Sequence, residues 1–320
     1  MFVPIFSPLG QRLYPRKGGG GRGSGKTSSS GKTSSSSKGS TSSTKGGTSS
    51  RGSPSTTKSS SSRKSPLSIS GTGSKKKSAS PYGSGNSKVS TIPSGQFFAG
   101  RTQGGGTRDS VFGSRTYGSG YPGLYGHRGV GGLGFPYYFW PVVWGNGFGY
   151  GNHYLHDSSN EYGRPDNSSR PGGSMSEATF ASSTMNSTFH ILADNTTVIS
   201  LVSTITANCS AQLDTSRSTS PSSTPWPFNS SDPWSPRPEQ AVQYYRASSV
   251  VLTLEGYNNS AALSDDINQA DDPIPSWTDF NLLYCLNQTI GVSVPLIDGA
   301  TWTSPNGLYS LPSDIGEPCG

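Results

Sequence analysis

The chain has 320 residues, of which only 29% are hydrophobic, and it contains 43 Gly and 24 Pro. This composition excludes two large hydrophobic cores, although the length alone would allow two domains. The net charge of +7 conceals a split, because residues 1–130 hold 20 Lys/Arg and one acid, whereas residues 131–320 hold five Arg and 17 Asp/Glu. We therefore expect a basic tail followed by an acidic region.

Residues 1–126 are predicted to be a disordered basic tail rich in Ser, Gly and Lys. Such a stretch has little apolar surface to offset the roughly 1–2 kcal/mol of backbone entropy that ordering each residue costs. The segment GGRGSGKT at 20–27 matches a phosphate-loop pattern but lacks the strand and helix that such a loop requires. Residues 1–13 do not form a clear secretory signal peptide.

Residues 127–152 are rich in Gly and aromatic residues and include GFPYYFWPVVWG at 134–145. The last 24 of them carry no charge, which is long enough for a bilayer span, but many glycines and two prolines oppose a membrane helix. Three interpretations stay open: membrane contact through 134–145, a partner-binding patch with Trp140 and Trp144, and a disordered sticky segment. A polar spacer is predicted at 153–176.

Residues 177–298 are predicted to form one small α+β domain with the order β-α-linker-α-β-α. Residues 189–194 alternate as in a strand, and Asn195 is predicted to be the N-cap of the helix that follows. A Ser/Pro linker is predicted at 215–238. The apolar stripe of the first helix consists of Val198, Leu201, Val202, Ile205, Cys209 and Leu213.

The second half of this domain is predicted to hold a short helix at 238–246, a strand at 249–255 and a helix at 277–290. A near capping-box spacing precedes the last helix. Residues 299–320 are predicted to be a C-terminal tail. The stripe of the last helix consists of Leu282, Cys285, Leu286 and Thr289, joined by Phe280 and Leu283.

Cys209 and Cys285 each fall on the apolar stripe of a predicted helix, and Cys319 lies near the end of the chain. They would be buried free thiols, or Cys209 and Cys285 would form a disulfide that ties the two helices together. In the chain-entropy model a closed loop of about 75 residues contributes roughly 4 kcal/mol of stability. We favour the disulfide, because glycosylation would imply an oxidising compartment.

Asn-x-Ser/Thr acceptor sites are confined to the second half of the chain. Chance would give about three or four matches in a region so rich in Ser and Thr, and seven occur there. On the two predicted helices, the acceptors point away from the apolar stripes, as a glycan requires. The predicted glycosylation sites are Asn167, Asn186, Asn195, Asn208, Asn229, Asn258 and Asn287.

We predict no catalytic, cofactor or metal site. The segment HYLHD at 153–157 lies in a Gly-rich loop, and the chain has only four His and no G-x-S-x-G or H-E-x-x-H motif. The run Tyr244-Tyr245-Arg246 precedes the second predicted strand of the domain. It would either pack in the core or join Trp140 and Trp144 as an interaction patch.

Three segments are distinctive: FPYYFWPVVWG at 135–145, EYGRPDNSSRPGG at 161–173 and EQAVQYYRASSVVLTLEGYNNS at 239–260. They resemble an uncharacterised family of basidiomycete fungal proteins. Members share the basic Ser/Gly-rich start, the aromatic block and the glycosylation-prone second half. The resemblance implies a fungal lineage and supplies no activity or catalytic residue.

The sequence therefore predicts a non-enzymatic, glycosylated structural or interaction protein that is extracellular, at the cell surface or membrane-associated. We expect no small-molecule substrate, and the basic tail could contact a polyanion or the cell wall. The alternative is a nucleic-acid or polyanion-binding protein that acts through the tail. Removal of N-glycans distinguishes the two, because only the first predicts a change in mobility.

Overall fold

The computed structural model describes residues 67–69, 77–122, 128–145, 154–155 and 161–298. They belong to one unit, Ser61–Gly320, and confirm the predicted α+β class. The predicted tails over 1–66 and 299–320 lie outside the described residues.

The strands are β1 (Leu67–Ile69), β2 (Lys77–Ser80), β3 (Ser90–Thr91), β4 (Thr102–Gln103), β5 (Met175–Ala181), β6 (Thr188–Asp194), β7 (Trp226–Pro227), β8 (Ala241–Tyr245), β9 (Val250–Leu254) and β10 (Leu296–Ile297). The helices are α1 (Asn195–Asn208) and α2 (Phe280–Ser293).

The central sheet is antiparallel and has the strand order β7-β5-β6-β9-β8. Directly opposite residues of antiparallel strands share a face, so the register assigns Phe180, Phe189 and Leu254 to one face. Both helices pack on this face, which is buried. The predicted strands at 189–194 and 249–255 correspond to β6 and β9.

An aspartate caps each helix. The side chain of Asp194, rather than that of the predicted Asn195, accepts a hydrogen bond from the N–H of Thr197 and caps α1. Asp279 caps α2 and, in addition, accepts a hydrogen bond from the hydroxyl of Ser182 at 2.6 Å. The predicted stripes are buried along both helices at their aliphatic positions.

Two predictions for the second half of the domain are corrected. Phe280 is exposed and Leu283 only half-buried, because both lie beside the stripe rather than on it. The helix predicted at 238–246 is a short 3₁₀ turn, Pro238–Gln240, followed by strand β8. The β-branched and aromatic residues of that segment pair along β9 instead of continuing the turn.

Two predicted connections belong to the fold. The spacer at 153–176 ends inside β5, and its Tyr162 and Arg170 are buried. The Ser/Pro linker at 215–238 follows the free edge of β5. There the hydroxyl of Ser218 accepts a hydrogen bond from a strand N–H at 2.9 Å, and β7 pairs further along the same edge. Hydrogen bonds to a sheet edge order this segment without an apolar sequence.

A Gly-rich strap, defined as residues 77–122 and 128–145, contributes a large part of the core. The disordered tail predicted over 1–126 is therefore wrong for residues 77–122, and residues 127–152 are not a separate segment where they are described. The physical reason is that widely spaced aliphatic and aromatic residues bury together without forming a periodic pattern. Buried side chains of the strap include Ile92, Val111, Tyr117, Tyr121, Val130, Phe135, Tyr137, Phe139, Trp140, Val142, Val143 and Trp144.

The strap covers the turn between β8 and β9. Arg246, Ala247 and Ser248 all have positive φ, at 50°, 48° and 58°. Each non-glycine residue in this region costs on the order of 1 kcal/mol, so the turn depends on its surroundings. The N–H of Arg246 donates to the carbonyl of Val111 at 2.7 Å, and the N–H of Val142 donates to the carbonyl of Ser248 at 2.9 Å.

No helix within the described ranges is long and apolar enough to cross a bilayer. The segment predicted to contact a membrane, residues 134–145, contains no helix, and its aromatic rings lie in the core of the domain. Two prolines inside the segment and a glycine at each end prevent a continuous helix there, so turns direct the rings towards the sheet.

The start and the end of the described chain are joined. Strand β2 pairs with β1 and with β10. The guanidinium of Arg108 donates to the carbonyl of Gly83 at 2.6 Å and to that of Val294 at 2.8 Å. The N–H of Gly85 donates to the carboxylate of Asp298 at 2.8 Å. These contacts hold the strap against the end of α2.

We predict that residues 175–298 do not fold without the strap, because the strap covers the turn between β8 and β9 and contributes a large part of the core. Denaturant titration of this fragment, followed by far-UV circular dichroism, should show no cooperative transition. A chain that starts at Ser61 should unfold cooperatively, with a midpoint close to that of the full chain. A cooperative transition of the shorter fragment would contradict the structural role of the strap.

Candidate functional site

The interaction patch predicted from the sequence is not at the surface. Trp140, Trp144, Tyr244, Tyr245 and Arg246 are each at most 3% exposed. All five stabilise the fold, because the strap and the turn between β8 and β9 pack against each other there. The core-packing interpretation of the Tyr-Tyr-Arg run is therefore correct, and a contact surface has to be sought elsewhere.

Arg246 is the centre of this buried cluster. Its guanidinium donates to Asp194 at 2.7 Å and to the carbonyl of Pro295 at 2.9 Å. Its carbon Cζ lies 3.4 Å from the ring centre of Phe139. Burial lowers the pKa of Arg246, and the negative charge of Asp194 opposes that shift. Gly172, with φ +87°, leaves room for Asp194, since a Cβ there would collide with the carboxylate.

The most exposed large hydrophobic residues within the described ranges are two tryptophans, Trp226 at 69% and Trp234 at 81%. Trp226 is the first residue of β7, and Trp234 lies in the loop that joins β7 to β8. Phe228 anchors this loop in the core against Trp144, with ring centres 6.4 Å apart, and Ser235 is buried at its other end. Strand β7 and this loop therefore hold two indoles in water while their backbone is fixed. Single exposed apolar residues are common, but a fixed pair is not.

Both tryptophans lie near Glu177 on β5. Trp226 is the register partner of Glu177, so their side chains lie on the same face of the sheet, opposite the helices. Trp234 is adjacent to the buried Ser235, whose side chain is close enough to Glu177 to lower the pKa of that carboxyl. We call Trp226, Trp234 and Glu177 the tryptophan edge.

A polar strip continues the tryptophan edge across the sheet. The imidazole Nδ1 of His190 lies 3.3 Å from the hydroxyl of Thr179, and its Nε2 lies 3.9 Å from a carboxylate oxygen of Glu255. Burial raises the pKa of Glu177, against the opposing effects of His190 and Ser235, and hydrogen bonding to His190 lowers the pKa of Glu255.

One carboxylate oxygen of the tryptophan edge, Oε2 of Glu177, is buried and accepts no hydrogen bond from any described residue. A buried acceptor without a donor is costly. Together the two indoles and the strip offer flat apolar faces beside hydrogen-bonding groups. This arrangement suits binding by stacking and hydroxyl contacts. No cluster of His, Cys, Asp and Glu within the described ranges is arranged to hold a metal.

The acceptor asparagines are all among the described residues. Four are exposed: Asn186, Asn208, Asn229 and Asn258. The other three are half-buried: Asn167, Asn195 and Asn287. The carbonyl oxygen of the Asn287 side chain accepts a hydrogen bond from the hydroxyl of Tyr245 at 2.7 Å. This hydrogen bond does not involve the side-chain amide nitrogen of Asn287, which is the atom that would carry a glycan.

Cys209 and Cys285 form the predicted disulfide, with their Cα atoms 5.9 Å apart. The bond joins the C-terminal end of α1 to the middle of α2. It closes a loop with a sequence separation of 76 residues. In the chain-entropy model a loop of this length contributes roughly 4 kcal/mol to stability. Cys319 lies outside the described residues.

Comparison of this chain with protein-family models, with curated proteins and with solved structures finds no match.

We predict that replacing Arg246 with Ala lowers the free energy of unfolding by about 3–5 kcal/mol, because it leaves the carboxylate of Asp194 buried and unpaired. Urea titration measures this loss. Arg164→Ala is a matched control, since the ion pair of Arg164 with Asp166 lies at the surface and should leave stability near that of the wild type. A loss below about 1 kcal/mol for Arg246→Ala would show that the buried pair is not essential to the fold.

Proposed function

We propose that this protein is a non-enzymatic, N-glycosylated interaction protein of the secretory pathway or cell surface. The observation that carries the proposal is that one domain holds both the Cys209–Cys285 disulfide and four exposed acceptor asparagines. Stable disulfides are typical of oxidising compartments, which are also where N-glycans are attached. The half-buried acceptors would be modified before the chain folds.

The tryptophan edge is the surface that we assign to the interaction. Two fixed indoles can stack on the flat C–H faces of sugar rings, and the side chains of Glu177, His190 and Thr179 can bond to hydroxyl groups. Glu177, Glu255 and Asp232 contribute carboxylates at this surface, which disfavours a polyanion there. The ligand chemistry that fits best is an uncharged polysaccharide chain, such as those exposed on a cell wall.

The compartment is tested on the native protein. We expect endoglycosidase treatment to increase electrophoretic mobility, and mass spectrometry of unreduced peptides to recover Cys209 linked to Cys285. Proteolysis should show glycans on the four exposed acceptors at least. Bare asparagines together with reduced cysteines would overturn the proposal.

The tryptophan edge is tested by co-sedimentation with insoluble chitin and β-glucan at 0.5 M NaCl, where exposed charges act over only about 4 Å. We expect the double variant Trp226→Ala/Trp234→Ala to bind at least about fivefold more weakly, since each lost stacking contact is worth on the order of 1 kcal/mol. Tyr82→Ala, which removes an exposed ring elsewhere, is the matched control. Unchanged binding by the double variant would exclude this surface.

The second candidate function, polyanion binding through the tail, is favoured by one observation. Residues 12–76 hold 14 Lys/Arg and no acid. Several later cations serve the fold instead, as when Arg101 pairs with Glu161, and Arg115 donates to the carbonyl of Asp272. Polyanion binding predicts retention on a polyphosphate column, and affinity should fall steeply with salt because each neutralised phosphate releases a counterion.

A further inference from the structure

A surface cavity of about 620 Å³ lies between the C-terminal end of α1 and the exposed side of α2. Asn281, Tyr284 and Gln288 line it from α2 at helical spacing, one turn apart. Asn208 and Gln212 line it from the other side. The Cys209–Cys285 disulfide fixes the two sides to each other, because Cys209 is next to Asn208 and Cys285 is next to Tyr284.

The lining of this cavity is nearly uncharged. Side-chain amides and hydroxyls predominate, no Lys or Arg contributes, and the one carboxylate is that of Asp279. Both oxygens of Asp279 are already engaged, one by the N–H groups of Asn281 and Leu282 and the other by the hydroxyls of Ser182 and Thr184. The cavity therefore offers donors and acceptors to a neutral, hydroxyl-rich occupant rather than to an ion.

One aromatic ring borders the cavity. Tyr284 is 68% exposed, although it lies in the middle of a helix and beside a disulfide. A tyrosine ring in this setting has an apolar face that water covers poorly and a hydroxyl that water satisfies. A ligand with one apolar face and polar edges would cover the ring without desolvating the hydroxyl.

One residue of the cavity lining indicates what occupies the cavity. Asn208 is exposed and is the acceptor of an Asn-Cys-Ser site. Among the seven acceptors, all of them described, it is the one that lines this cavity. A sugar attached to its amide nitrogen starts inside the cavity and needs no further association step. The local concentration of such a tethered group is very high, so weak contacts are sufficient.

We propose that this cavity holds the first N-acetylglucosamine of a glycan on Asn208, stacked on Tyr284 and hydrogen-bonded to the amides of Gln212 and Gln288. The glycan then acts as a structural element that joins α1 to α2 beside their disulfide. This inference rests on the proposed N-glycosylation and goes beyond it, since it assigns one glycan a binding site within its own chain.

The test is a double-mutant cycle on full-length protein secreted from a eukaryotic host. Ser210→Ala abolishes the acceptor site while leaving Asn208 in the wall, and Tyr284→Ala removes the ring. We expect each change alone to lower Tm by about 2–4 °C. The double variant should be no less stable than either single variant, because contacting groups are not additive. Ser231→Ala, which abolishes the exposed site at Asn229, is the matched control and should leave Tm unchanged.

Site-specific mass spectrometry and glycan trimming complete the test. Trimming to a single N-acetylglucosamine on each asparagine should keep the wild-type Tm, because only the first sugar occupies the cavity. Glycans at other acceptors but not at Asn208 would overturn this inference and leave the proposed function intact, whereas bare acceptors throughout would overturn both. An occupied Asn208 with additive effects of Ser210→Ala and Tyr284→Ala would also overturn it.

Discussion

The structure depends on one buried charge, the guanidinium of Arg246. It lies where β8, the start of α1 and the strap meet, and it is paired with Asp194, which also caps α1. Removing a charge from water is costly unless every donor finds an acceptor, so the three elements must be in place together. The ring of Phe139 completes the enclosure from the strap side. Helix, turn and strap are therefore mutually dependent rather than separate layers.

Periodic segments could be predicted from the sequence and aperiodic ones could not. The stripes of α1 and α2 and the alternation in β6 and β9 are local patterns, and the two stripes made a Cys209–Cys285 disulfide possible beside the alternative of two buried thiols. The strap has no period, because its buried residues are separated by glycines that turn the chain. Composition therefore indicated disorder up to residue 126, although tertiary contacts order residues 77–122. Strand β5 was missed because the polar Glu177 and Thr179 interrupt its apolar residues.

The candidate site was harder to predict than the fold. Burial of the aromatic residues at 134–145 depends on contacts with residues about a hundred positions away in the chain, and no local pattern reveals such contacts. The tryptophan edge had a weak signal, since Trp226 and Trp234 are two of the three large apolar residues of a Ser/Pro-rich stretch. What the sequence lacked was the anchor at Phe228 and the register that places Glu177 beside Trp226. The acceptor sites, in contrast, are read directly from the chain.

The pairing of β2 with β10 has a consequence for biosynthesis. Strand β2 leaves the ribosome more than two hundred residues before its partner, so native pairing must await the synthesis of Leu296 and Ile297. During that interval Thr197, the hydroxyl residue of the sequon at Asn195, is synthesised and remains accessible, whereas the folded protein buries it. A topology that delays closure thus lengthens the period in which this sequon is open to solvent.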